Sequence, residues 1–387
     1  MQHAVTADYV FDGAVVRRNA AVVIEGTHIV AVVPRAELSA GISVRTVADG
    51  AWLAPGFIDL QVNGGGDVLF NDLPTAEGIR TIAAAHRRFG TTAFLPTLIS
   101  DTREKTKSAL AVVEELVDKE PSVIGIHLEG PFLSPEMPGV HGLSHIRVPT
   151  AQDVAMLTAV RSGVMVVTLA PEQVPEGFIH QLTRSGVRVC LGHSMATYAE
   201  TRHAMLEGLT GFTHLFNSMR ALASREPGPI AAALESSDAW FGMIVDGAHV
   251  DPAMLRLALR GVARPILVTD AMPPVGGRHS TFVLYGEEIK MGAGRCVRGD
   301  GKLAGTSLDM ATAVRNCVRL LGVPLEVTLR FASAHPARFV GVDSWLGQLA
   351  PGYRADLVAI DAISLEVSET WVAGHTDPGR SYETLRK

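Results

Sequence analysis

The sequence predicts a (β/α)8 barrel of the TIM type with a small β-sandwich domain assembled from both chain ends. Three observations carry this. In the middle of the 387-residue chain, eight short apolar runs are continuous rather than alternating, as expected of strands buried on both faces of a parallel sheet. Helix-like stretches separate most of them, the pattern of βαβ units. The two ends share a different texture, short β-branched segments punctuated by glycine.

At the N-terminal end, Ala14–Val16, Ala21–Glu25 and Ile29–Val33 read as strands, with turns at Gly13, Gly26 and Gly41 and no helix-length periodicity. The C-terminal end has the same character: Gly347–Gly352 leads into Ala355–Asp361 and then Glu369–Ala373. Chain termini tend to lie together, so residues 1–54 and 340–387 are expected to form one β domain. Residues 55–339 are left for the barrel.

The barrel runs are Gly56–Asn63, Thr91–Thr97, Val123–Gly130, Val164–Ala170, Val187–His193, Gly211–Phe216, Trp240–Gly247 and Pro265–Ala271. The stretches Ala76–Phe89, Arg103–Leu116, Asp153–Val160, Pro175–Ser185, Thr197–Leu206 and Met254–Leu259 read as intervening helices. A doubly wound open sheet is the alternative, but no GxGxxG follows a first strand to support it. Residues 273–304 are Gly-rich and contain a hairpin-like Thr281–Lys290, an insertion after the eighth strand. A last barrel helix follows at Leu308–Leu321.

Composition excludes several classes. Hydrophobic residues make up 47% and charged ones 19%, enough for a sizeable core and against global disorder. Lys and Arg total 34 against 40 Asp and Glu, a net charge of −6 that argues against a generic nucleic-acid or anionic-membrane binder. Cys190, Cys296 and Cys317 cannot make a disulfide framework, which fits a reducing compartment, and their lack of CxxC spacing rules out a cysteine zinc knuckle. The first residues show no basic and apolar leader, and uncharged stretches such as Phe89–Ser100 fall short of the ~18 residues of a spanning helix. The expectation is a cytoplasmic protein whose 14 histidines invite ligand chemistry.

On this frame Glu129 closes the third strand, His193 the fifth, His214 the sixth and Asp270 the eighth, with His249 just past the seventh. Barrel strand C-termini converge on one rim, so residues distant in sequence meet there. One carboxylate and two imidazoles make the three-ligand set of a catalytic metal, and an unliganded Asp beside them suits a general base. Each residue alone has a plain structural explanation: Glu129 could cap the Gly130–Pro131 turn, and Asp270 the loop after it. Their joint placement favours a site.

The segments PGFIDLQVNG, IHLEGPFLSPEMPGVHG, LGHSMA, THLFNSMRALASREPG, VDGAHV and VTDAMPP occur in this order over roughly residues 50–310. The ordered set resembles the N-acetylglucosamine-6-phosphate deacetylase family of the amidohydrolase superfamily. The resemblance implies metal-dependent hydrolysis of an acetamide on a 6-phosphorylated amino sugar, releasing acetate. It implies Glu129, His193 and His214 as metal ligands and Asp270 as the catalytic aspartate. His141 would help polarise the substrate carbonyl, with Val140 beside it. Asn217 and Ser218 would receive the phosphate, and His249 would line the same pocket. Arg225 would reach the phosphate of a neighbouring subunit in a homodimer, and Leu303, Ala304, Gly305 and Thr306 would form a further substrate-contacting segment.

Many amidohydrolases carry His-x-His on the first strand, where this chain has Gln61 and Asn63. Amides are weak zinc ligands beside imidazole, so the expectation is one divalent ion per subunit, zinc first, with iron or cobalt fitting the same ligands. Three alternatives stand beside this reading. They are a deacetylase of the galacto isomer, another amidohydrolase acting on a cyclic or acyl amide, and a non-catalytic scaffold on the same barrel. Gln61 and Asn63 disfavour the second, and the intact Glu129, His193, His214 and Asp270 disfavour the third. The remaining candidates revert to structure. His127 reads as a packed, hydrogen-bonded residue, His86 and His203 as surface or interface residues, and His335 as the start of a helix. The cysteines, Met205, Met254 and Met310 read as core filler.

Overall fold

A computed structural model describes residues 2–159, 162–292 and 294–376. Packing divides the chain into two compact units. One gathers the residues up to Asp59, His86–Ala93 and those from Met310 on; the other is Leu60–Ala85 with Phe94–Asp309. The boundaries expected at 54 and 340 follow the chain, whereas this division follows packing and places the helices Met310–Leu321, Leu325–Ala332 and Ala334–Val340 in the first unit.

Both chain ends build the β domain of that first unit. Strands Gln2–Phe11, Val16–Glu25, His28–Pro34, Ser43–Thr46 and Trp52–Pro55 share one eight-stranded sheet with Leu357–Ile360, Val367–Val372 and His375–Thr376. The ends join where Leu357–Ile360 runs antiparallel to Trp52–Pro55, with Leu357 opposite Pro55. Val5, Val22, Ile24, Leu53, Leu357 and Trp371 pack in its core. The strand Gln2–Phe11 escaped the sequence reading because His3, Thr6 and Asp8 interrupt its apolar run. Thr6 is accommodated in the interior by a hydrogen bond between its hydroxyl and that of Thr46.

The barrel sheet has eight parallel strands: Phe57–Val62, Thr91–Ile99, Gly125–Glu129, Val164–Leu169, Arg188–Leu191, Gly211–Phe212, Trp240–Met243 and Arg264–Leu267, neighbours in that order. Its first and last strands are brought together by the Asp270 amide donating to the Gln61 carbonyl and the Asn63 amide to the Ala271 carbonyl, both at 2.9 Å. Local signals fix the helices. Thr102 caps Arg103–Leu116 by accepting from the Lys105 amide, and Thr197 with Glu200 forms a reciprocal capping box on Tyr198–Leu206. Pro252 opens Pro252–Ala258 behind the Asp251 cap. The helix expected at Asp153–Val160 is Ala151–Leu157, and position 160 lies outside the described residues. Helix Gly228–Leu234, short and alanine-rich, was not read from the sequence.

The insertion is a four-stranded antiparallel sheet, Thr281–Leu284, Glu287–Gly292, Arg295–Val297 and Leu303–Thr306, with Thr281 opposite Lys290 as the hairpin reading expects. Several expectations need correction. His193, His214 and Asp270 do not close their strands but lie beyond the last ladder residues Leu191, Phe212 and Leu267. Past the ladder ends the backbone is left-handed, at φ 49°, 31° and 52° for these three residues. His86 is fully buried rather than at the surface, and Met205 and Met254 are half-buried rather than core. Among the described residues no helix is long and apolar enough to cross a membrane.

Candidate active site

Three side chains at or just past the ends of the third, fifth and sixth strands of the barrel converge on one point. His214 Nε2 lies 2.9 Å from Glu129 Oε1, His193 Nε2 lies 3.2 Å from the same oxygen, and the two Nε2 atoms are 3.1 Å apart. All three residues are at most 4% exposed. His193 and His214, two residues past their strand ends, have left-handed backbone, an uncommon conformation that clusters at functional sites. His193 is oriented by Nδ1, which donates to the Met137 carbonyl at 2.9 Å and so directs the Nε2 lone pair at the centre. Burial pushes the Glu129 carboxyl up, but the two imidazoles outweigh it and hold it well below the usual carboxylate range. For His214 burial lowers, yet Glu129 and then Asp270 raise it overall.

Asp270 stands beside this triangle. Its Oδ1 accepts from Asn63 Nδ2 at 2.6 Å and from Gln61 Nε2 at 3.2 Å, and the same Gln61 amide reaches Glu129 Oε1 at 3.1 Å. One carboxylate oxygen is therefore saturated, and Oδ2 is the one with capacity for a proton. Burial, and next the charge of Glu129, push the Asp270 carboxyl up to about 6 against His214, His249 and Asn63. A carboxylate poised near neutrality in a cavity suits general acid and base work.

The cavity around these groups gathers most of the residues singled out from the sequence. Glu129, His193, His214 and Asp270 line it with Val140 and His141, and Asn217, Ser218 and His249 stand on its wall. His249 is fixed by Asp246, whose carboxylate takes the ring Nδ1 at 2.6 Å and two main-chain amides. Asn217 is anchored by Nδ2 donating to the His214 carbonyl. Burial pushes His141 down to about 3, and the neighbouring His193 acts in the same direction.

Strand alternation splits the Leu303–Thr306 segment: Leu303 and Gly305 line the cavity, whereas Ala304 and Thr306 are buried outside its lining, and the Thr306 hydroxyl donates to the Thr269 carbonyl at 2.7 Å. Arg225 is not brought to the cavity of its own chain; it is exposed on the irregular segment 221–227.

His127 behaves as a packed residue, its Nδ1 3.0 Å from the Leu60 carbonyl and Nε2 2.8 Å from the Thr168 hydroxyl. The three thiols are buried, and burial pushes Cys190 and Cys296 up to about 12 and Cys317 to about 11, which leaves them inert. Sequence reasoning missed Ser100 and Gly139. Gly139, at φ 54°, lies so close to the site that a Cβ there would be 2.8 Å from His193 Cε1. The glycine-rich PGVHG segment was the available signal for that close approach.

Comparison with known proteins agrees with this geometry. The sequence matches the amidohydrolase family over residues 52–378. The chain belongs to the amidohydrolase family. Among relatives of this amidohydrolase, N-acetylgalactosamine-6-phosphate deacetylase of Shewanella sp. (strain ANA-3) is 41% identical, covering 83% of this chain and 82% of that protein. N-acetylglucosamine-6-phosphate deacetylase of Haemophilus influenzae is 34% identical over 97% of this chain and 99% of its own length. The crystal structure of N-acetylglucosamine-6-phosphate deacetylase from Pasteurella multocida superposes with a TM-score of 0.94 at 32% identity, covering 97% of this chain and all of that one.

Amidohydrolases of this kind are metal-dependent, and the donor set here fits a metal. Two imidazole nitrogens 3.1 Å apart, each within 3.2 Å of one carboxylate oxygen, form a buried group of ligand type. Facing lone pairs at that separation repel unless a cation or a proton lies between them.

Proposed function

We propose that this amidohydrolase hydrolyses the acetamide of N-acetylglucosamine-6-phosphate to glucosamine-6-phosphate and acetate, in amino-sugar catabolism or cell-wall recycling in the cytoplasm, with residues 55–339 as the hydrolase domain. The observation that carries the reading is the Glu129–His193–His214 triangle with Asp270 held beside it by Gln61 and Asn63.

Glu129, His193 and His214 would hold one divalent ion, zinc first, with iron or cobalt suited to the same donors. When bound, that ion supplies Lewis acidity and acidifies water. The other steps belong to the chain. Asp270 Oδ2 takes a proton from the attacking water, while Oδ1 stays fixed by the two amides. His141, whose Nε2 is buried without a partner among the described residues, receives the acetyl carbonyl oxygen as it gains negative charge. Asp270 then gives its proton to the nitrogen, because an amine departs far more readily than an amide anion. The raised carboxyl can hold that proton near neutral pH between the two transfers.

Asn217, Ser218 and His249, on the wall of the cavity, would bind the sugar phosphate. Arg225 is exposed and away from its own cavity, an arrangement that supports service to the phosphate of a second copy in a homodimer. A second reading has its own support: the relative that is 41% identical is named for the galacto sugar, which differs at one hydroxyl.

The deciding experiment is acetate release from both 6-phosphates and from the two unphosphorylated sugars, with and without chelator. The reading expects chelator-sensitive release that strongly favours a phosphorylated substrate. Release from neither 6-phosphate overturns it, and a preference for the galacto isomer selects the second reading.

A further inference from the structure

We propose that Ser100 and Tyr285 are positioning residues that fix the tautomer of His141, so that Nε2 carries the proton offered to the substrate carbonyl. The inference rests on the deacetylase reading for what that proton does, and on geometry alone for where it sits.

The main-chain N–H of Ser100 points at His141 Nδ1 from 3.1 Å. A backbone amide can only donate, and a hydrogen on Nδ1 would meet the amide hydrogen head-on. Nδ1 therefore accepts. The Ser100 hydroxyl, 2.8 Å from the same nitrogen, is placed to donate to it as well. A neutral imidazole whose Nδ1 accepts has its proton on Nε2. That Nε2 is buried and has no partner among the described residues, in a ring that lines the cavity. A buried donor left unpaired is costly, which marks it as kept for something that arrives.

Ser100 is held in turn. It follows Ile99 at the end of the second barrel strand, and its carbonyl accepts the Tyr285 hydroxyl. Tyr285 sits at the hairpin turn of the insertion, at φ 49°, with its ring against Gly142, the residue after His141. A single residue thus links the insertion to the imidazole: Tyr285 donates to the Ser100 carbonyl, and the Ser100 amide donates to Nδ1. Space for the serine comes from Gly130, where a Cβ would fall 2.3 Å from Ser100 Oγ.

Two measurements test this on the metal-loaded enzyme. In 15N NMR of histidine-labelled protein, with His141→Asn used to assign the signal, His141 should show a bare Nδ1 and a protonated Nε2. A proton on Nδ1 overturns the assignment. In Tyr285→Phe, kcat should fall about tenfold, as for other residues that orient an active group. KM should stay within about twofold, with the melting temperature unmoved. Unchanged kcat, or KM and melting temperature shifting together with kcat, overturns the positioning role. A protonated Nε2 in a protein that releases no acetate sinks the deacetylase reading and leaves the tautomer standing; acetate release with a protonated Nδ1 does the reverse.

Discussion

Asn63 Nδ2 donates to Asp270 Oδ1 at 2.6 Å. At the end of the first barrel strand, where a pair of histidines would recruit a second metal, this chain uses two amides to hold one oxygen of the aspartate, leaving Oδ2 for the proton transfer proposed above. The bond also lowers the Asp270 carboxyl against the burial that raises it to about 6. Removing it in Asn63→Ala should raise the carboxyl further. The base works only when ionised, so the acid limb of the rate profile should move to higher pH, with kcat down about tenfold at neutral pH. A pH–rate profile of the variant checks this; an unmoved limb would show that Asn63 does not tune the base.

The same amides predict the metal count. Elemental analysis should find about one equivalent of divalent ion per chain, because amides compete poorly with imidazole for such ions. Two tightly held equivalents would contradict the role given to Gln61 and Asn63.

Gly139→Ala should weaken the metal site without unfolding the barrel. Its left-handed backbone disfavours a side chain by roughly 1–2 kcal/mol, and the new Cβ would press on His193 Cε1 from 2.8 Å. Metal affinity by competition with a chelator should fall about tenfold. Wild-type affinity would show that the segment gives way freely.

Asp153 pins the long segment between Glu129 and its helix. Its carboxylate, fully buried, takes paired bonds from Arg103 (3.1 and 2.9 Å) and from Arg147 (both 2.7 Å), besides the Thr150 amide. Burial raises it, but the two guanidinium groups outweigh that and leave it far below the usual carboxylate range. A depressed folded-state carboxyl stabilises above its unfolded value, near 3.9, and that stability is lost as pH falls through the folded value. Asp153→Asn should therefore cost about 3–5 kcal/mol at pH 7 by denaturant unfolding. Its deficit should shrink in strong acid; a deficit independent of pH would show that packing, not charge, accounts for it.

Much of this was legible because burial on both faces writes a strand as an unbroken apolar run, and the candidate ligands stand at or just past the ends of the strands. Glu129 ends its strand as read. His193, His214 and Asp270 sit past theirs, since nothing in the letters marks a left-handed turn at a non-glycine residue. Gln2–Phe11 was lost to its polar positions, and the small terminal strand His375–Thr376 has no run to read. Contacts between segments distant in sequence left no local trace at all. Tyr285 on Ser100, Asn63 on Asp270 and Arg103 on Asp153 depend on how the barrel closes, which periodicity does not encode.

The central claim is that Asp270 moves the proton in an acetamide hydrolysis carried out beside the Glu129–His193–His214 triangle. Acetate release by Asp270→Asn, with metal content measured on the same sample, tests it most directly. The account predicts about one metal per chain, as in the wild type, and a rate lower by about 10³-fold or more. Near-normal turnover by a metal-loaded Asp270→Asn would contradict it.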